Sequence, residues 1–414
     1  MRTALVVMHR WFGLAAAAFL FISGATGAVI SWDHELDEWL NPQLFKATSE
    51  GFAQNPLALA KQFESSEKGM QVTWLPLNIE AGHALNIRVF PRIDPATGSA
   101  HKADFNQIAL DPVSGEPQAR RMWGEISLSR KNLLPFLYKL HYSMHLPNVG
   151  GIEAGVIFMG ILAIVWTIDC FVSLWISFPK LSSWKKSFAF RWQQGSYKLN
   201  FDLHRSGGVW IWPLLLIIAV TSVSMNLQLQ VVRPLVNRIS TLSPSPWEGR
   251  NFSAPDKPSS PGVSRETILE KAKAEAIRRA WMTPAGGIFY SPEADLYGVS
   301  FYASGKEHGD GGLGNPWLHF EGSDGSFAGA WVPGEGSAGD IFMQAQFPLH
   351  SGRIVGLPGR ILVSILGLVI ASFSVTGVVI WARKRRARLA TKQVRAQQSL
   401  QPLESATAGA SPQA

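Results

Sequence analysis

Four stretches of the chain are apolar almost without a break, roughly 11–32, 152–178, 209–229 and 361–381. Each comes close to the ~20 residues that an α-helix needs to cross a bilayer, so the pattern predicts four transmembrane helices. Between the first and second, the pattern changes to helical spacing near Pro56–Lys68. Alternating strands follow in "MQVTWLPL", "ALNIRVFPR" and "FNQIALDPVSGEP", the last folding back at Asp111–Gly115. Between the third and fourth come a helix at Arg265–Trp281, strands in "GIFYS" and "LYGVSFYA", and "WLHFEGSDGSFAGAWVP" with a turn at Gly322–Gly325. The order of elements recurs. It predicts a membrane α-helical fold in a duplicated arrangement, carrying two small α+β soluble domains. A parallel repeat of this kind relates its halves by an axis along the membrane normal.

The expected boundaries are a first transmembrane helix at 1–32, a soluble domain at 33–140, and an approach with the second helix at 141–179. A basic loop at 180–204, a third helix at 205–230 and a second soluble domain at 231–349 follow. An approach with the fourth helix at 350–383 and a tail at 384–414 complete the chain. The Pro- and Ser-rich stretch 243–262 reads as a loop. From Arg388 the tail loses periodicity and gains Gln, Ser and Ala, so disorder is expected there. The first apolar stretch exceeds the roughly 7–15 residues of a signal core, and three more follow, so it reads as an uncleaved helix.

Composition agrees with a membrane protein bearing sizeable soluble parts: of 414 residues, 46% are hydrophobic and only 16% charged, with a mean hydropathy of +0.07. The net charge of +8 is placed unevenly. Lys180, Lys185, Lys186, Arg191 and Lys198 face Asp202 alone in the short loop, and the tail opens "ARKRRARLATKQVR". The positive-inside rule then puts both termini in the cytoplasm of a bacterial inner membrane, with 33–150 and 231–358 in the periplasm. No surface of interleaved Lys, Arg and aromatic residues argues for nucleic acid. Cys170 is the only cysteine and lies within the second span, which excludes an intrachain disulfide, a thiolate metal cluster and covalent haem attachment through C-x-x-C-H.

Chemistry concentrates at the ends of the spans. "MHRWFG" and "LHRSGG" set His9-Arg10 and His204-Arg205 at the cytoplasmic ends of the first and third helices, while His141 and His350 lead into the second and fourth from outside. Two neutral imidazoles presented from facing helices, with no thiolate available, suit an iron held by axial histidines, so the pattern predicts two b-type haems, one per membrane face. A helix of ~22 residues is about 33 Å long, and one haem at each level would shorten the gap an electron must cross. Haem propionates need cationic partners in a low-dielectric setting, which Arg10, Arg205, Arg353 and Arg360 could supply. His145 is the alternative to His141, four residues on and sharing its helical face. Asp169, an ionisable group within a span, could bond a haem ligand, relay protons or line a quinol pocket, or make a structural bond. His34, His83, His101, His308 and His319 lack partners at matching depth and are read as surface residues.

The stretches "MHRWFGL", "LYKLHYSMHLP", "WTIDCFVSLWISFPK", "NFDLHRSGGVW" and "FPLHSGRIVGLPGRILVSILGLVIASFSVTGVVIWARKRR" together resemble the PepSY-associated transmembrane helix family of iron-regulated membrane proteins. The resemblance spans nearly the whole chain; the soluble segments are PepSY-like more loosely. It implies an inner-membrane ferrisiderophore reductase of the ferrioxamine type. Haem axial ligands would be His9 with His204 and His141 with His350. The electron donor would be a cytoplasmic reductant or membrane quinol, and the acceptor a ferric siderophore in the periplasm. Two other classes remain open: a non-redox PepSY regulator of a periplasmic protease or partner, and a siderophore transporter.

Overall fold

The computed structural model describes residues 1–254, 256–307 and 311–408. The chain opens with α1 (Arg2–Ile30), α2 (Asp33–Leu40), α3 (Pro42–Phe45) and α4 (Pro56–Ser66). Strands β1 (Met70–Pro76), β2 (Leu85–Pro91), β3 (Gln107–Leu110) and β4 (Pro117–Arg121) follow, then α5 (Leu133–Ser143) and α6 (Ala154–Ser177). Next come α7 (Ser196–Trp210), α8 (Trp212–Leu227), α9 (Arg233–Val236) and α10 (Arg265–Arg278). The last elements are β5 (Ala285–Ser291), β6 (Leu296–Phe301), β7 (Trp317–Glu321), β8 (Phe327–Trp331), α11 (Ala338–Ser351) and α12 (Leu357–Ala408).

Among the described residues four helical stretches are long and apolar enough to cross a membrane: Arg2–Ile30, Ala154–Ser177, Trp212–Val236 and Leu357–Arg395. Their ends differ from the apolar stretches in instructive ways. Since α1 begins at Arg2, His9 and Arg10 lie inside it rather than at its threshold. The third span is preceded by the polar helix α7, and the chain breaks at Ile211 just before Pro213, whose missing N–H suits only the first turn of a new helix. At the other end, α12 continues to Ala408, against the disorder expected from Arg388. Ala, Arg, Lys and Gln in this stretch favour helix even where hydrophobic periodicity has stopped. Residues 409–414 of the tail lie outside the described residues.

The chain divides into two compact units. The first comprises Met1–Ala25, Ile164–Leu216 and the chain from Leu368 on; the second comprises Thr26–Ala163 and Ile217–Gly367. In the first, Asp202 of α7 is fully buried. It accepts hydrogen bonds from the Arg191 backbone N–H at 3.0 Å and from that guanidinium at 2.7 Å through each of two nitrogens. This charge-assisted clamp ties α7 to the preceding loop and so fixes the helix that carries His204.

The second unit contains an eight-stranded antiparallel sheet in the order β4-β3-β2-β1-β5-β6-β7-β8. The strands of both soluble segments therefore share one sheet. It is joined where Trp74, Leu75 and Pro76 of β1 pair with Phe289, Ile288 and Gly287 of β5. Alternation along the strands sends Leu85, Ile87, Val89, Ile288, Tyr290, Tyr297 and Val299 to one face, which α4 and α10 cover with Leu59, Phe63, Ile268 and Ala272. Side-chain caps from Asn55 and Ser264 start these two helices. Arg265, the first residue of α10, donates to both carboxylate oxygens of Glu64 on α4 and to the Val72 carbonyl, while Glu64 also accepts from the Val72 N–H at 2.6 Å. Within the membrane helices of this unit Gly160 leaves α6 room to approach α8, since a Cβ there would sit 2.4 Å from Leu227.

Candidate functional site

Within the first unit, His9 of α1 and His204 of α7 face one another with ring centroids 6.1 Å apart and planes inclined by 49°. His9 uses Nδ1 to donate to Asp169 of α6, at 2.9 Å and 3.0 Å to its two oxygens. His204 places Nδ1 3.1 Å from Thr376 Oγ1 of α12. That hydroxyl donates its own hydrogen to the Phe373 carbonyl at 3.1 Å, so its oxygen is the acceptor for the imidazole. The proton of His204 is thereby assigned to Nδ1 and the ring's lone pair to Nε2. Gly377, next in sequence to Thr376, lets α12 pass against the ring: a Cβ there would lie 3.0 Å from His204 Cε1.

The second unit repeats the arrangement with different residues. His141 of α5 and His350 of α11 also stand 6.1 Å apart, their planes at 64°. His141 Nδ1 lies 3.2 Å from Thr26 Oγ1 of α1, and His350 Nδ1 lies 3.0 Å from Thr221 Oγ1 of α8. The Thr221 hydroxyl donates back to the Ile217 and Ile218 carbonyls at 2.8 and 3.0 Å, which again makes it the acceptor and leaves the lone pair of His350 on Nε2. A Cβ on Gly27 would sit 3.0 Å from His141 Cε1, as Gly377 does opposite His204. Local structure aims both rings. The Ser337–Asp340 capping box, reinforced by Ser243, starts α11, and Gly352 in the left-handed region ends it two residues past His350.

His145 stands apart from this pair. The α5 helix ends at Met144, and both Met144 and His145 are left-handed, so the chain turns away. The His145 ring then stacks on Phe136 with centroids 4.7 Å apart and donates from Nε2 to that residue's carbonyl at 2.9 Å. The four arginines are placed differently from one another. Arg10 is half-buried, directly after His9. Arg205 donates to the Lys186 carbonyl and lies 4.0 Å from Asp202, with its buried Nε making no hydrogen bond. Arg353 reaches Asp33 only at 3.9 Å. Arg360 is committed to Glu35 at 2.8 and 2.9 Å and to the Ser31 carbonyl, its guanidinium 4.5 Å above the Trp32 ring.

The remaining histidines depart in part from a surface reading. His34 is exposed, His83 and His101 are half-buried, and His308 lies outside the described residues. His319 is a correction: it is buried in β7, its ring near those of Trp317, Phe289 and Trp247. Strand alternation puts it on the sheet face opposite α4 and α10, where aromatic side chains close over it. Burial, with the Arg250 charge adding to it, lowers its pKa to about 4.

Each pair brings two imidazole rings together, with the Nδ1 of every ring beside a side-chain oxygen. Two metal–nitrogen bonds of about 2 Å, with about 1.1 Å from each nitrogen to its ring centre, would separate the centroids by about 6 Å. The observed 6.1 Å at both pairs has this size. Among the described residues no three His, Cys, Asp or Glu side chains gather into a metal-binding group, so a metal taken up by either pair must bring most of its other ligands with it.

The threonines and the two glycines were not anticipated from the sequence, although a signal was available. Thr26 follows His9, and Thr221 follows His204, by the same 17 residues, and Thr-Gly recurs at 26–27 and 376–377. The model of the PepSY-associated TM region family matches residues 6–384, which takes in all four histidines and their partners. The chain belongs to this family. With four spans and this membership it is a multi-pass membrane protein of the PepSY-associated family. A comparison with curated proteins finds no match.

Proposed function

We propose that this PepSY-associated protein is a di-haem electron-transfer protein of the bacterial inner membrane that reduces a ferric siderophore in the periplasm. The observation that carries the reading is the pair of facing imidazoles in each unit, 6.1 Å apart, with every Nδ1 engaged by a side-chain oxygen. Metal-bound histidine has this outer-shell arrangement, because a bond at one nitrogen orients the ring and presents the other to the metal. A porphyrin would bring the further ligands that the described residues do not gather at either pair. The unpartnered Nε of Arg205, next to His204, fits a propionate, whereas Arg360 is already neutralised by Glu35.

In this reading both termini are cytoplasmic, His9 and His204 hold the inner haem, and His141 and His350 the outer one. The haem supplies one-electron chemistry when bound. The residues of the chain do the rest. His9 with His204 and His141 with His350 would hold the two irons, Thr26, Thr221, Thr376 and Asp169 keep the rings turned, and Arg10, Arg205 and Arg353 would be available to the propionates. A membrane quinol or cytoplasmic reductant gives up one electron for each Fe(III) that becomes Fe(II). The hard oxygen donors of a siderophore suit Fe(III) and hold Fe(II) far less well, so reduction releases the iron. Duplication of an ancestral half accounts for the repeated strand order and for the matched His-Thr spacing.

The test is the haem content of detergent-purified protein, with oxidised and dithionite-reduced spectra, for the wild type, His204→Ala and His350→Ala. Two haems per chain, with each variant losing a different one, is the expected result. A folded, haem-replete preparation without haem refutes the proposal and favours a non-redox regulator.

A further inference from the structure

The four proposed ligands are not equivalent. His141, His204 and His350 set Nδ1 against neutral threonine hydroxyls, at 3.2, 3.1 and 3.0 Å. His9 alone donates to a carboxylate, and both oxygens of Asp169 lie within 3.0 Å of its Nδ1. The Asp169 side chain is only 13% exposed, and among the described residues it forms an ion pair with no Lys or Arg. Among the hydrogen bonds described for the four histidines, the carboxylate of Asp169 is the one acidic partner, and it lies one imidazole away from the proposed inner iron position.

We propose that Asp169 is a positioning residue that makes the inner haem the lower-potential member of the pair and so directs electrons outward. The inference rests on the di-haem reading. Two effects act with the same sign. Hydrogen bonding to a carboxylate pulls the Nδ1 proton away from the ring, which makes the imidazole a more basic, more electron-donating ligand and favours the ferric form. The uncompensated charge in a poorly screened setting also stabilises the higher positive charge of the oxidised iron. A threonine hydroxyl contributes a dipole without net charge, so the outer haem, held by two such histidines, keeps the higher potential. One electron then leaves the inner site as one arrives at the outer site, downhill. The inner site is refilled by the quinol or cytoplasmic reductant, and the outer site is emptied by the ferric chelate.

Asp169→Asn isolates the charge, because the amide oxygen still accepts from His9 Nδ1 while the anion is gone. Spectroelectrochemical titration of the purified protein should show two midpoints in the wild type. Asp169→Asn should keep both haems and raise the lower midpoint by at least tenfold in the reduction equilibrium, which is about 59 mV for one electron, leaving the upper one in place. Thr376→Val, which removes a neutral partner from the same haem, should shift the lower midpoint by less. His350→Ala, which retains only the inner haem, assigns the lower midpoint to it. Two haems with an unmoved lower midpoint in Asp169→Asn would overturn the inference and leave the di-haem reading standing, as would a shift confined to the upper midpoint. Absence of haem from the wild type would remove both.

Discussion

On the di-haem proposal, Gly377→Val tests the site at a residue that ligates nothing. A Cβ at this position would lie 3.0 Å from His204 Cε1 and 3.6 Å from Nδ1. Carbon atoms settle at about 3.5–4.0 Å, so alanine asks the ring to move by roughly half an ångström. Valine adds two methyl groups beyond the Cβ and asks for about 1 Å or more. Metal–nitrogen bonds tolerate about 0.2 Å, and the Thr376 bond that holds the ring is already 3.1 Å long. Gly377→Ala should retain two haems per chain with a perturbed inner-haem spectrum. Gly377→Val should retain one haem, with overpacking costing a further 1–3 kcal/mol or so of stability. Haem per chain by pyridine haemochrome, with reduced spectra of the same samples, reads this directly. Gly27→Val is the matched control, because its Cβ would meet His141 at the same 3.0 Å and should remove the other haem. The reasoning fails if Gly377→Val binds two haems with unaltered spectra, or if both valine variants lose the same one.

Three other outcomes follow from the soluble part. Glu64→Gln leaves the Arg265 guanidinium, only 16% exposed, without its anion, and should cost about 2–4 kcal/mol in denaturant unfolding. Adding Arg265→Met should recover part of that loss rather than add to it. His319 titrates at about 4 when folded against 6.5 ordinarily. The stability it contributes is therefore present above pH 6.5 and lost as pH falls toward 4, and His319→Phe should flatten the melting-temperature profile across that window. Asp111 is buried, which raises its carboxyl pKa. The N–H groups of Ser114, Ser49 and Val113 and the Thr48 hydroxyl outweigh that burial and hold it below the usual carboxylate range. Asp111→Asn should thus destabilise at neutral pH, with the difference from wild type shrinking as the pH drops below about 4.

Elements with strong periodicity were legible in the sequence, and long-range partners were not. The strands at Met70–Pro76, Leu85–Pro91 and Leu296–Phe301 fall where alternation puts them, and α10 starts at Arg265, where the helix is expected to begin. Pairing of β1 with β5 had no local trace, because both strands are apolar on the face that α4 and α10 cover and neither carries a mark of its neighbour. His9, His204, His141 and His350 stood out because a charged neighbour or a helix end isolates each of them. Thr26, Thr221 and Thr376 did not, since a threonine in an apolar helix ordinarily bonds its own backbone. Thr221 and Thr376 do so here as well, and the second bond to a histidine is visible only in three dimensions. His319 misled for the opposite reason: its burial comes from Trp247, Phe289 and Trp317, which lie on separate segments.

The junction between β1 and β5 also governs the order in which the soluble part can be finished. More than 200 residues separate Pro76 from Ala285, so at about 5–20 residues per second the first meander waits on the order of ten to forty seconds for its neighbour. Throughout that interval β1 presents an unpaired edge, and Leu75 and Ile87 lack the part of the core that Ile288 and Tyr297 supply. A nascent chain that has emerged only as far as α6 is therefore a sticky intermediate. Its escape from aggregation depends on how soon the second half is made beside it, and a fragment ending before Ala285 would be a substrate for chaperones and proteases rather than an independent module.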